Sequence, residues 1–159
     1  PIKSSAASDV YKRQIRENIR LVSHELLPPV FREATINEVI SNYLESLSTP
    51  ECPIRFETLP EDVEWTGLPD AMSLNIYRII QEAVGNSLKH ARASRISVVM
   101  EWKLPNLEIR VSDNGNGAAT DGPGIGIQTM KERVTALKGT FTMKSTRLGT
   151  TIIVLIPVF

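Results

Sequence analysis

The stretch that most constrains this chain is Ser73 to Ala91, SLNIYRIIQEAVGNSLKHA. At 3.6 residues per turn it divides into two faces. Ile76, Tyr77, Ile80, Ala83, Val84, Leu88 and Ala91 cluster on one side and are expected to meet a core. Arg78, Glu82, Asn86, Lys89 and His90 gather on the other. A surface helix would carry interchangeable Lys and Glu there. This one sets a carboxylate, then an amide one turn on, then a cation and an imidazole. The order suits a metal and phosphates, although a helix read alone fits a solvated polar face at least as well.

What can cover the apolar side is written on either flank. Ile15 to Leu27 has helical spacing and is stopped by Pro28-Pro29, and a second helix is expected from about Thr35 to Leu47. Thr35 with Glu38 three residues later resembles a capping box. Ser48 to Asp70 reads as loop with one short strand, Ile54 to Thr58. After the central helix come Arg95 to Lys103 and Leu107 to Val111, which alternate apolar and polar residues around a tight Leu-Pro-Asn turn. They read as an antiparallel pair with one buried face. A helix follows from about Gly126 to Leu137, packing through Ile127, Met130, Val134 and Leu137 and ended by Gly139. Two strands close the chain, Thr140 to Ser145 and Thr150 to Pro157; the second is apolar on both faces and so expected in the sheet interior. About three helices over one face of a mixed, about five-stranded sheet make an α+β two-layer sandwich. No internal repeat is evident.

At 159 residues and 42% hydrophobic, the chain supports one core. Residues 1–14, small and polar, read as a disordered or non-native tail, and 31–159 as the main domain. Eighteen basic and eighteen acidic residues cancel, which argues against nucleic acid as a partner and against membrane contact. The single Cys52 rules out an internal disulfide and fits a reducing compartment. No apolar run reaches the roughly 18–20 residues that cross a bilayer, so a cytoplasmic location is expected, with any membrane part lying elsewhere.

Asp113 occupies the inward phase of its strand, where desolvating a carboxylate costs several kcal/mol unless it is hydrogen-bonded. Gly115 and Gly117 beside it let a planar ligand approach the backbone. The pair suits an adenine pocket in which the carboxylate accepts the exocyclic amine. DNGNG, Asp113 to Gly117, alone fits a hairpin turn equally well. Gly124-Ile125-Gly126 opens a helix whose free N–H groups attract phosphate, or else is an ordinary flexible helix entry. Leu148-Gly149-Thr150-Thr151 enters the last strand and alone fits a tight turn. Asn86 offers a neutral oxygen of the kind Mg²⁺ accepts. Glu82 could take a proton from water or orient the metal shell, and Lys89 and His90 could reach phosphate oxygens.

Taken together and in order, EAVGNSLKHA, DNGNG, GIGIQTMKERV and LGTTIIVLIP resemble the N box, the two glycine boxes and the terminal Gly-Thr of the GHKL (Bergerat-fold) ATPases. Within that group the chain is most similar to the catalytic ATP-binding domain of bacterial sensor histidine kinases with a short lid, the nitrate-sensor and DesK-like subgroup. The resemblance covers about residue 15 onward. It implies ATP and Mg²⁺ as cofactors, with Asn86 as the metal ligand and Lys89 and His90 near the phosphates. Asp113 would bind adenine, Gly115, Gly117, Gly124 and Gly126 would shape pocket and lid, and Thr150 would line the adenine end. Glu82 matches the acidic position that activates water in hydrolytic members. Ala118 replaces a commonly bulkier apolar residue, and Lys138-Gly139 stands where Gly-Gly is usual.

The same resemblance makes Val22 to Pro29 the end of the dimerisation hairpin (residues 15–30). His24 is then a structural residue, and the phosphoacceptor histidine lies on another, upstream helix. Implied partners are that acceptor-helix domain and a response regulator, with the fragment a monomer and the full kinase a dimer. Alternatives are a serine kinase of the anti-sigma-factor type and a non-catalytic interaction module that keeps the fold.

Overall fold

The computed structural model describes residues 30–61, 63–117 and 124–158. The helix expected at 15–27, His24, the tail and Ala118 lie outside them. In chain order the elements are α1 (Val30–Glu33), α2 (Ile36–Leu47), β1 (Ile54–Leu59), α3 (Asp70–His90), β2 (Ile96–Lys103), β3 (Asn106–Asp113), α4 (Ile125–Ala136), β4 (Thr140–Thr146) and β5 (Gly149–Pro157). The five strands form one sheet in the order β1-β2-β3-β5-β4. β1 runs parallel to β2, and every other pair is antiparallel, so the sheet is mixed. β5 lies inside the sheet, between β3 and β4, as its apolar run predicts.

Alternation decides which face is covered. Ile96, Val98 and Met100 of β2, Leu107, Ile109 and Val111 of β3, and Ile152, Val154 and Ile156 of β5 share one phase. They join a single core with Ile40 and Leu44 of α2, Ile76, Ile79, Ile80, Ala83 and Val84 of α3, and Met130 and Val134 of α4. The helices therefore form one layer and the sheet the other.

Local chemistry sets the helix ends. Glu38 reaches back so that its Oε2 accepts the Thr35 N–H at 2.7 Å, and this bond holds its carboxyl below the usual carboxylate range. α3 opens with Asp70 and closes with Lys89 and His90, charges that complement its dipole at both ends.

Two expectations for α3 need correction. The helix begins at Asp70 rather than Ser73, directly after Pro69, whose fixed φ suits a helix entry. Leu88 does not face the core: it is 36% exposed, whereas Ile79, which the two-face division passed over, is 1% exposed. The buried face of the helix is centred on Ile76, Ile80, Ala83 and Ser87, and Leu88 lies to one side of that line.

The outer face of the sheet carries a charge cluster. Glu108, 8% exposed, accepts from Lys103 Nζ at 2.9 Å and from Arg110, and Lys103 also pairs with Glu101 at 3.3 Å. These bonds, Glu108's first, push the Lys103 amine up. At the same end of β2, Trp102 stacks on Trp65 with ring centroids 5.1 Å apart. Phe31 of α1 and Tyr43 of α2 both meet Tyr77 edge-on at 5.5 Å, and burial, then Tyr77 and Glu82, push the Tyr43 phenol up.

Candidate functional site

β3 ends at Asp113, opposite Ile96 in the register. The chain then leaves the sheet, and the next element is α4, so DNGNG is not a hairpin turn. It is tied down on three sides instead. Asn114 Oδ1 accepts the N–H groups of Ser94 (3.0 Å) and Arg95 (2.9 Å), and the Asn116 N–H donates to Ala91 O at 2.8 Å. Gly115 permits this approach, since a Cβ there would overlap the carbonyl group and side chain of Ala91. Gly117 turns the chain at φ +84°, close against the Thr146 carbonyl.

These ties fix the Asp113 carboxylate. Its Oδ1 accepts the Gly115 N–H at 2.9 Å and the Thr150 N–H at 3.2 Å, and its Oδ2 accepts the Ser87 hydroxyl at 2.7 Å. A carboxylate has about four lone-pair sites, so roughly one acceptor position is left for an incoming group.

In front of Asp113 lies a cleft of about 380 Å³ between the C-terminal half of α3, the Asp113 end of the sheet and the start of α4. Glu82, Asn86, Lys89 and His90 border it from α3, Gly124, Ile125 and Gly126 from α4, and Gly117 and Thr150 from the two loops. Among the sequence candidates only Gly115 is off the wall; it acts behind it, through its N–H and its fit against Ala91. Glu82 lies against the second residue of α4, where a Cβ on Gly126 would strike its carboxylate. Arg78, grouped with the polar face by periodicity, borders instead a groove of about 230 Å³ with Gln81, Thr129 and Arg133, on the other side of Glu82, which lines both. Cys52 is buried, and burial first, then the Asp113 charge, pushes its thiol up.

Sequence reasoning missed the apolar lining, Ala83, Ile127, Met143 and Ile152, and it missed Ser87. The lining residues are ordinary core residues in phase and carry no signal of their own. Ser87 did carry one, as a polar residue at a buried phase of the helix.

The profile of the histidine kinase-, DNA gyrase B-, and HSP90-like ATPases matches residues 71–159, more than half of the chain, and the chain belongs to that family. Its fold is that of an ATP-binding domain of the kind found in sensor histidine kinases. Sensor histidine kinase LiaS of Bacillus subtilis is 33% identical over 108 residues, which cover 63% of this chain and 30% of LiaS. UhpB of Salmonella typhimurium, a signal transduction histidine-protein kinase/phosphatase, is 27% identical over 145 residues, covering 90% of this chain and 29% of UhpB. The chain thus spans about a third or less of these relatives. Among solved structures, the histidine kinase domain of the Erythrobacter litoralis EL346 blue-light activated kinase superposes with a TM-score of 0.65 at 16% identity, covering 78% of this chain and 65% of that one. ShkA, solved in complex with AMPPNP, gives 0.62 at 19% identity, covering 78% and 30%. At such identities the likeness speaks for the fold.

Among the described residues no helix is long and apolar enough to cross a membrane.

Proposed function

We propose that residues 31–159 bind Mg-ATP in this cleft and pass the γ-phosphoryl group to a histidine on a separate acceptor helix, for relay to a response regulator. The observation that carries the reading is the Asp113 carboxylate, held from both oxygens with about one acceptor site spare. An adenine amine donates to that site. Guanine presents an oxygen there and is refused. A hydrogen bond to a charged acceptor is worth about 1.5–3 kcal/mol, enough for the choice.

With adenine against Asp113 and Thr150, the phosphates extend toward Asn86, Lys89, His90 and the first N–H groups of α4. Lys89 and His90 supply positive charge and donors, and the α4 start adds backbone N–H groups and its dipole. The donor set fits Mg²⁺. Asn86 presents a neutral oxygen one turn after Glu82, and the described residues gather no group of three His, Cys, Asp or Glu side chains. A cation that keeps waters and takes phosphate oxygens needs little more from the protein. When bound, the ion neutralises charge on the phosphates. Asn86 would hold the ion and Glu82 beside it would orient water, while catalysis is mainly positioning and charge complementarity.

The test is a titration with ATP, with and without Mg²⁺, on the parent and on Asp113→Asn. Unchanged affinity in the variant overturns the adenine assignment. Acid-labile phosphate on a supplied acceptor-helix dimer supports histidine transfer. Acid-stable phosphate on a protein serine would move the chain to the serine-kinase class, and no transfer with ATP bound would make it a binding module.

A further inference from the structure

Ser87 follows Asn86 directly on α3, about 100° further round the helix. It therefore leaves the polar face and points among Ala83, Val84 and Ala91. It is 5% exposed, a hydroxyl on the buried stripe that carries Ile76, Ile80 and Ala83. Burying a hydroxyl is costly unless it is bonded. Two acceptors are in reach: Ala83 O, one turn back, at 3.3 Å, and Asp113 Oδ2 at 2.7 Å. Ser87 has a single hydrogen to give, and the shorter, charge-assisted bond takes it.

The bond reaches across 26 positions of sequence, from the helix layer to the end of the sheet. The other two bonds to this carboxylate, from the Gly115 and Thr150 N–H groups, both land on Oδ1. Together they take both lone-pair sites of Oδ1. The spare acceptor site therefore lies on Oδ2, the oxygen that Ser87 holds. The Ser87 hydroxyl is thus the side chain that bears directly on the atom facing an incoming amine.

We propose that Ser87 is a positioning residue for the nucleotide base: its hydroxyl orients Asp113 toward an exocyclic amine, and this orientation sets the preference for adenine over guanine. The inference rests on the adenine reading above. It also places base selection and the metal face on neighbouring residues of one rigid helical turn, Ser87 and Asn86.

The experiment is calorimetric titration of the chain with Mg-ATP, Mg-GTP and Mg-tripolyphosphate. It uses the parent, Ser87→Ala, Asp113→Asn and the double variant, each checked by thermal unfolding. Ser87→Ala is expected to weaken Mg-ATP about tenfold and to leave Mg-GTP and Mg-tripolyphosphate at parental affinity, with the folded state retained. In the Asp113→Asn background the same change should have no further effect on Mg-ATP, because Ser87 acts through that carboxylate. The proposal is overturned if Ser87→Ala binds Mg-ATP as the parent does. It is overturned equally if all three ligands weaken together, or if the Mg-ATP loss persists in Asp113→Asn. Parental Mg-ATP affinity in Asp113→Asn itself would remove the adenine reading and this inference with it. A normal loss there, beside an unaffected Ser87→Ala, removes this inference alone.

Discussion

The same chemical change, Gly to Ala, is expected to act in opposite directions at two positions about 30 residues apart. Gly85 lies inside α3 with nothing within 4 Å of where a Cβ would stand. Gly115 sits in the loop after β3, where a Cβ would overlap the O, C and Cβ atoms of Ala91. At Gly85 the extra methyl restricts the unfolded chain and favours the helix, so Gly85→Ala should stabilise by about 0.5–1 kcal/mol. At Gly115 the obstacle is backbone and cannot rotate away. The loop must move off α3, at an overpacking cost of about 1–3 kcal/mol. The 2.8 Å bond from the Asn116 N–H to Ala91 O goes with it, for about 1 kcal/mol more. Gly115→Ala should therefore lose about 2–4 kcal/mol, a fall in melting temperature of about 4–16 °C for a chain of this size. Urea unfolding followed by far-UV circular dichroism measures both variants on one scale. The reasoning is refuted if Gly115→Ala stays within about 0.5 kcal/mol of the parent, or if Gly85→Ala destabilises.

Two further outcomes follow from packing and charge. Ile79→Ala should cost about 2–5 kcal/mol in the same unfolding assay. Leu88→Gln should change stability by no more than about 0.5 kcal/mol, and a large loss would return Leu88 to the core. On the outer sheet face, Glu108 and then Glu101 raise the Lys103 pKa. The folded state then holds this proton more tightly than the unfolded chain. Its contribution to stability is complete below the ordinary lysine range and disappears as pH rises through the higher folded value. Lys103→Met should flatten that alkaline decline in melting temperature, and an unchanged slope would refute the assignment.

Periodicity and turn residues were enough for α2, α3, α4, the β2–β3 pair and the interior place of β5, since each follows from one repeat of apolar positions. The parallel pairing of β1 with β2 is another matter. Nothing local in Ile54 to Leu59 records it, because the partner lies beyond the whole of α3. The wheel erred at Leu88 and Ile79 because a nominal division weights both flanks alike, whereas the sheet and the neighbouring helices cover only one of them. In the cleft, the residues that stand out chemically, Asn86, Asp113 and the glycines, were legible because each breaks an expected pattern. Ser87 broke a pattern too, yet its meaning depends on a partner 26 residues away. Gly115 was legible as a glycine, but not as one that serves from behind the wall.

The Trp65–Trp102 stack has an optical consequence. These are the only two tryptophans of the chain, and neither borders the cleft. In the β2–β3 register Trp102 faces Leu107, six positions along β2 from the Ile96–Asp113 pair, a separation of about 20 Å. Indole emission from this protein is therefore a gauge of whether the domain is folded, insensitive to a nucleotide that merely fills the cleft. A change in that emission on adding ATP would instead mark a rearrangement carried along the strands to the far end of the sheet.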